Sequence, residues 1–262
     1  MLKNKLLIKG LSVSYYLHNN KSINAVDNIF IELKKGESLG IAGESGCGKS
    51  TLVSAVMRNL TPPGKITAGS IFLDGEEITK LSDKDFDSRI RWKKISLIFQ
   101  GALNSLDPVY TIKTQIKDIL ETHGQSYEKE KVITLLENVG LEKSVLRKYP
   151  HELSGGMKQR IVIAIALLLE PDIIIADEPT TALDVLIQAQ IIKLLKKLKE
   201  KGISIILISH DLALISELVD KIGIMYTGKI VEFNSTNEII FAPKNQYTKK
   251  LISSTPQLGQ TL

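Results

Sequence analysis

Gly43-Glu-Ser-Gly-Cys-Gly-Lys-Ser50 lies between an apolar run, 38–42, that reads as a strand and a segment, 49–60, that reads as a helix. The spacing is that of the phosphate-binding loop G-x4-G-K-[ST], and strand–loop–helix is the setting its mechanism requires. By chance such a match arises on the order of one per cent of the time in a chain this long. Glycines let the backbone wrap closely, so the N–H groups of Gly43, Glu44, Ser45, Gly46, Cys47 and Gly48 and the start of the helix can gather around phosphate oxygens. Lys49 would reach the β- and γ-phosphates, Ser50 would ligate Mg2+, and Thr51 would donate to the α-phosphate. Cys47 reads as a small space-filler of the loop rather than a nucleophile.

Outward from this loop the chain reads as alternating strands and helices. Before it come strands at 6–15 and 23–33 and the turn Lys34-Lys-Gly-Glu37; after it come the prolines 62–63, a hairpin at 69–73 with the Asp74-Gly75 turn, and a strand at 95–99. Residues 101–153 change texture to polar helical segments, 112–123 and 127–139, with no strand candidate. A helix at 157–169, a strand at 173–176, a helix at 183–201, a strand at 204–209 and a helix at 212–219 come next, then a hairpin around Gly228. Ile187, Ile191, Leu194, Leu195 and Leu198 share one helical face. Such alternation predicts an α/β fold with parallel strands.

Bulk properties agree with a globular protein: 262 residues, 43% hydrophobic, 24% charged, net charge +5. The longest apolar run, 161–169, is cut by Glu170-Pro-Asp172 short of the roughly 20 residues a bilayer needs. The N-terminal stretch is too short in apolar residues for a signal peptide, so the protein is expected to stay where it is made. One cysteine, Cys47, excludes an internal disulfide and a cysteine-ligated metal cluster within one chain. The lysines of 193–201 alternate with leucines at helical spacing and read as a solvated face, not a nucleic-acid patch.

Four further places carry chemistry. Ile173-Ile-Ile-Ala-Asp177-Glu178 is an apolar strand ending in two carboxylates: Asp177 can hold the magnesium shell and Glu178 can polarise an attacking water. His210 and Gln100 each come just after a strand; His210 could meet the γ-phosphate beside Glu178, and Gln100 could bridge Mg2+ and water. Leu153-Ser-Gly-Gly-Met-Lys-Gln-Arg160 places Ser154, Gly155 and Gly156 ahead of a helix, a second phosphate-binding end that one loop does not need. A second site implies a second chain: a head-to-tail dimer in which this end covers the γ-phosphate of the partner's ATP.

In the chain order P-loop, Gln100, Leu153-Ser-Gly-Gly156, Asp177-Glu178, the Ala182-Leu183-Asp184 loop and His210, the sequence resembles the ATP-binding cassette family over essentially its whole length. The resemblance implies a P-loop NTPase (RecA-like core) of ABC type with an antiparallel β subdomain and an inserted α-helical subdomain. It implies one nucleotide-binding domain over 1–262: a core at 1–100 and 166–240, a helical region with the signature at 101–165, and a short tail at 241–262. It adds Tyr15, with Tyr16 as the alternative, as the aromatic residue stacking on adenine, and Asp184 in the dimer loop.

Within the family the chain resembles the oligopeptide, dipeptide and nickel importer branch, on 98–108, 149–154, Asp177-Glu-Pro-Thr-Thr-Ala-Leu-Asp-Val185 and, above all, Ala242-Pro-Lys-Asn-Gln-Tyr-Thr-Lys-Lys-Leu251. Gly101-Ala102 departs from the acidic residue and proline of many relatives, and no cysteine-rich iron–sulfur segment is expected. The branch implies ATP and Mg2+ as cofactors, catalysis by Glu178, His210 and Gln100, and metal contacts from Ser50, Gln100 and Asp177. It implies a second cassette, two transmembrane channel subunits and an extracytoplasmic substrate-binding protein as partners, at the cytoplasmic face of the membrane, with no nucleic acid. A soluble cassette ATPase acting on nucleic acid or the ribosome, or an accessory ATPase of an assembly such as carbon–phosphorus lyase, stand as alternatives.

Overall fold

A computed structural model of the protein describes residues 4–16, 21–99, 101, 105–181 and 183–255. Period-two burial builds the first sheet. In β1 (Asn4–Tyr16) the side chains of Leu6, Ile8, Leu11 and Val13 face the core; in its antiparallel neighbour β2 (Ser22–Lys34) those of Val26, Ile29, Ile31 and Leu33 do. The change of phase after Ile8 arises from a bulge at Gly10, whose φ of +59° suits a glycine. β1 also pairs with β4 (Gly64–Leu73), which turns into β5 (Glu76–Glu77), so the antiparallel order is β2-β1-β4-β5.

The second sheet is built from β3 (Ser38–Ala42), β6 (Ile95–Ile98), β7 (Ile173–Asp177), β8 (Ser204–Ser209), β9 (Lys221–Tyr226) and β10 (Lys229–Ser235), in the order β10-β9-β3-β8-β7-β6. All pairings in it are parallel except the β9–β10 hairpin. Every residue of β3, β7 and β8 is buried, as expected of strands covered on both faces. Alternate residues serve different cores. Ile173, Ile175, Ile206 and Ile208 join the first sheet and α1 (Lys49–Val56); Ile174, Ala176, Ile205 and Leu207 join the helices behind.

Those helices are α3 (Ile112–Thr122), α4 (Lys129–Asn138), α5 (Gly155–Leu167), α6 (Val185–Glu200) and α7 (Leu212–Ser216). Ile112, Ile116 and Leu120 form a single buried stripe on α3, whereas α5 is buried along nearly its whole length. α1 stops four residues before the expected end. Arg58 takes a left-handed φ of +49°, its N–H donates to Ala55 O and that of Asn59 to Ser54 O, which closes the helix ahead of the prolines.

Two stretches expected to lack elements contain helices. Asp83–Arg89 forms α2, capped by Ser82, with Phe86 buried between the guanidinium groups of Arg58 and Arg91. After β10, Thr236–Phe241 forms α8, and the segment expected as a plain tail forms α9 (Gln246–Ser253) over its described part. Among the described residues no helix is long and apolar enough to cross a membrane.

Buried charge ties the sheets together. Lys5, 6% exposed, pairs with Asp74 at 2.7 Å and Asp172 at 3.0 Å, linking β1 to the β4–β5 turn and to the approach to β7. Asp220, at the head of β9, accepts the N–H and the hydroxyl of fully buried Ser38, both at 2.8 Å, and pairs with Lys199 at 2.7 Å. Burial alone would raise the Asp220 carboxyl, but Lys199 and the two Ser38 donors outweigh it and hold it below the ordinary 3.8. A depressed carboxylate adds stability that is fully present above its unfolded value and is lost as pH falls through the folded one. Asp220→Ala should therefore lower the unfolding free energy by about 1–3 kcal/mol near pH 7 by leaving the buried Ser38 N–H without its acceptor and Lys199 without its carboxylate. The gap to wild type should narrow as pH falls below 3.8, where the charge is lost but the protonated carboxyl still accepts, as measured by urea titration on both sides of that value.

Candidate active site

Parallel pairing fixes where the chemistry lies. Ala42 pairs with Ser209, Ile208 with Asp177, and Ala176 with Ile98, so β3, β8, β7 and β6 end along one edge. The loops leaving these strands collect there, outside the carboxyl ends of the sheet. Gln100, beyond β6, and Ala182 lie outside the described residues.

The loop Gly43–Gly48 owes its glycines to neighbouring backbone. A Cβ on Gly43 would overlap Met225 O of β9, and one on Gly48, at φ +110°, would overlap Ala25 O of β2. Gly228 N–H donates to Cys47 O at 2.9 Å, and Glu44 N–H donates to the Tyr247 hydroxyl of α9 at 3.2 Å. Lys49 is 6% exposed; its Nζ donates to Gly43 O at 2.7 Å and Glu44 O at 2.9 Å. The ammonium is thus held inside the loop by the loop's own carbonyls. Cys47 is buried, with Sγ 3.7 Å from Lys49 Nζ, while Glu44, Ser45, Gly46 and Ser50 are exposed and Thr51 is half-buried.

The two carboxylates are held differently. Asp177 is buried and its Oδ1 has no hydrogen-bond partner among the described residues. Burial, the largest cause, lifts its carboxyl above the ordinary value; the Ser50 hydroxyl opposes this, the Glu178 charge adds to it, and the Lys49 ammonium opposes it. Glu178 takes a left-handed φ of +49°, with its N–H on Ile208 O at 2.8 Å. Its Oε1 meets His210 Nδ1 at 3.0 Å and its Oε2 accepts the Thr181 hydroxyl at 2.9 Å. Burial would raise Glu178, but the His210 and Thr181 bonds, with the charges of His210 and Lys49, hold it below the ordinary carboxylate value. Thr181 escaped the sequence reading; its signal was a hydroxyl three residues beyond the acid.

Among the described residues no hydrogen bond or ion pair joins Ser154, Gly155 or Gly156 to the phosphate loop. The Ser154 hydroxyl accepts Met157 N–H at 3.3 Å and caps α5. A Cβ on Gly156 would press on Ile187 at 3.0 Å and one on Gly155 would touch Leu183, so this helix end packs on the start of α6. Asp184 caps α6 through Ile187 N–H at 2.9 Å. Tyr15 is half-buried with its ring against Gly64, and Tyr16 is 49% exposed.

Comparison with known proteins bears on the family and the fold. The family model described as ABC transporter matches residues 26–181, and one described as AAA domain, putative AbiEii toxin, Type IV TA system matches 148–216. The chain is 42% identical to the dipeptide transport ATP-binding protein DppD of Bacillus subtilis, covering 97% of this chain and 77% of that protein. It is 44% identical to the oligopeptide transport ATP-binding protein OppD of Lactococcus lactis subsp. cremoris, covering 97% and 76%. The dimeric post-hydrolysis structure of the ATP-binding cassette MJ0796 bound to ADP and Pi superposes with a TM-score of 0.76 at 30% identity, over 88% of this chain and 98% of that one. The cbiO1 structure from Clostridium perfringens, part of the ABC transporter complex cbiONQ, gives 0.78 at 26% identity over 99% and 98%. The chain belongs to the ABC transporter family and folds as its P-loop ATP-binding cassette.

Proposed function

We propose that the chain is the ATP-hydrolysing subunit of an importer for peptides. Hydrolysis rests above all on one observation: Glu178, anchored by His210 and Thr181, is kept ionised beside the phosphate loop. Peptide cargo rests on identity above 40% over nearly the whole chain to proteins of peptide transport.

In this reading the exposed loop N–H groups and the start of α1 receive the phosphates, and Lys49 exchanges its two carbonyl partners for phosphate oxygens. Tyr15 stacks on adenine, and Thr51 meets the α-phosphate. Ser50 and Asp177, with Gln100, would hold Mg2+; the unpartnered Asp177 Oδ1 fits a hydrated cation. When bound, the ion screens the charge of the β- and γ-phosphates. Glu178 draws a proton from the attacking water while His210 keeps its carboxylate aimed. Ser154–Gly156 of a second cassette cover the γ-phosphate, and Asp184 lies in the contact between the two. This chain's own signature packs on the start of α6 and, among the described residues, makes no hydrogen bond to its own loop, which supports covering by a partner. Two channel subunits and a binding protein complete the importer, placing this chain at the cytoplasmic face of the membrane.

Glu178→Gln should lower kcat by about 100-fold or more while retaining ATP; phosphate release and gel filtration with ATP should then show a trapped dimer, and wild-type turnover would remove Glu178 from the role. Asp177→Asn discharges a buried, half-partnered carboxylate. It should raise the stability of the free chain by about 0.5–2 kcal/mol, read by thermal unfolding, while abolishing Mg2+-dependent hydrolysis. Tagged chain recovered from native membranes with ATP should bring two hydrophobic channel subunits, identified by mass spectrometry. Recovery with soluble enzymes, ribosomes or DNA alone would overturn the importer reading and leave the ATPase intact.

A further inference from the structure

The segment Ala242-Pro-Lys-Asn-Gln-Tyr-Thr-Lys-Lys-Leu251 has no part in the steps above, yet the structure lays it against the phosphate loop. Its base is fixed first. The two carboxylate oxygens of Glu232 on β10 accept the N–H groups of Lys244 at 2.8 Å and Asn245 at 3.1 Å. Asn245 accepts Tyr247 N–H at 2.8 Å and starts α9, whose Thr248 and Ile252 are buried beneath it. From that base Tyr247 packs its ring on Tyr226, centroids 4.3 Å apart, and its hydroxyl accepts Glu44 N–H at 3.2 Å.

We propose that Tyr247 is a positioning residue for ATP, fixing the Gly43–Glu44 half of the phosphate loop and coupling the C-terminal helix to nucleotide occupancy. The proposal rests on the reading of this loop as the ATP site. In the free chain the Gly43-Glu44 dipeptide is clamped from two sides: its carbonyls hold Lys49, and its second amide is tied to Tyr247. When Lys49 turns to phosphate it releases both carbonyls. Tyr247 then keeps the dipeptide in register, so less backbone freedom is lost on binding. Coupling of this kind is reciprocal: whatever factor the docked helix adds to ATP affinity, ATP adds to the docking of the helix. Burial raises the Tyr247 phenol above its ordinary value, so the hydroxyl stays neutral at physiological pH and the contact does not titrate there.

Tyr247→Phe keeps the ring on Tyr226 and deletes the acceptor. In the full chain with Mg2+, titration calorimetry should show ATP bound three- to tenfold more weakly, the range of one neutral hydrogen bond (about 0.7–1.4 kcal/mol). In the assembled transporter KM for ATP should rise by the same factor while kcat falls less than twofold, a split that a general loss of folding would not produce. Hydrogen exchange of the amides 246–253 supplies a readout on the wild type alone: ATP should slow it, and in Tyr247→Phe it should not. An unchanged dissociation constant in Tyr247→Phe, beside abolished binding in Lys49→Ala, overturns the proposal and leaves the site reading standing. Wild-type exchange at 246–253 indifferent to ATP does the same. ATP binding that survives Lys49→Ala overturns the site reading and the proposal with it.

Discussion

A loop that wraps phosphate must expose its amides, and a chain left to itself would satisfy those amides in some other way. Here the rest of the fold fixes the shape of the loop. Met225 O and Ala25 O crowd Gly43 and Gly48 so closely that no side chain fits, Gly228 holds Cys47 O, and Tyr247 holds Glu44 N–H. These neighbours come from β2, from the β9–β10 hairpin and from α9, so the loop takes its shape only once both sheets are assembled around it. The six-stranded sheet brings the loop to the same edge as Asp177 and His210, and the antiparallel sheet covers its flank through β2.

Charge is distributed on the same principle. Lys5 and Lys49 are equally buried, but the first is ion-paired with Asp74 and Asp172 whereas the second donates to the carbonyls of Gly43 and Glu44 and feels Asp177 and Glu178 only through their charge. A lysine paired with carboxylates has little to gain from a phosphate; one solvated by carbonyls has much. Likewise Glu178 is held by the donors His210 and Thr181, while its neighbour Asp177 is lifted by burial and its Oδ1 has no hydrogen-bond partner among the described residues. Adjacent acids thus carry different properties because one lies at the end of the strand and the other just past it.

Strands and loop were legible because their signals are local. The fully buried β3, β7 and β8 are unbroken apolar runs, and the phosphate loop is a spacing rule written in one stretch. α2 escaped because Asp-Lys-Asp-Phe-Asp-Ser-Arg has one apolar residue, Phe86, and no period to read. α9 escaped because its stability comes from Glu232 and Asn245 anchoring its start, and β10 lies outside the segment being read. Tyr247 belongs to the segment 242–251 that marks the branch, but nothing local says that a tyrosine more than two hundred residues downstream meets Glu44. Thr181 lay next to residues already singled out, and only the turn after β7 shows that its hydroxyl reaches the carboxylate.

Consecutive side chains of an extended strand point to opposite faces, so Asp177 and Glu178 could not both serve one site if β7 simply continued. The left-handed backbone at Glu178 turns the second acid toward His210 and Thr181. For a residue with a Cβ that conformation costs of order 1–3 kcal/mol, a strain that glycine would not bear. Of the residues that could stand here only glycine would be free of that strain, and it would take the carboxylate away from His210 and Thr181, so a relaxed backbone and a placed acid exclude one another at this position.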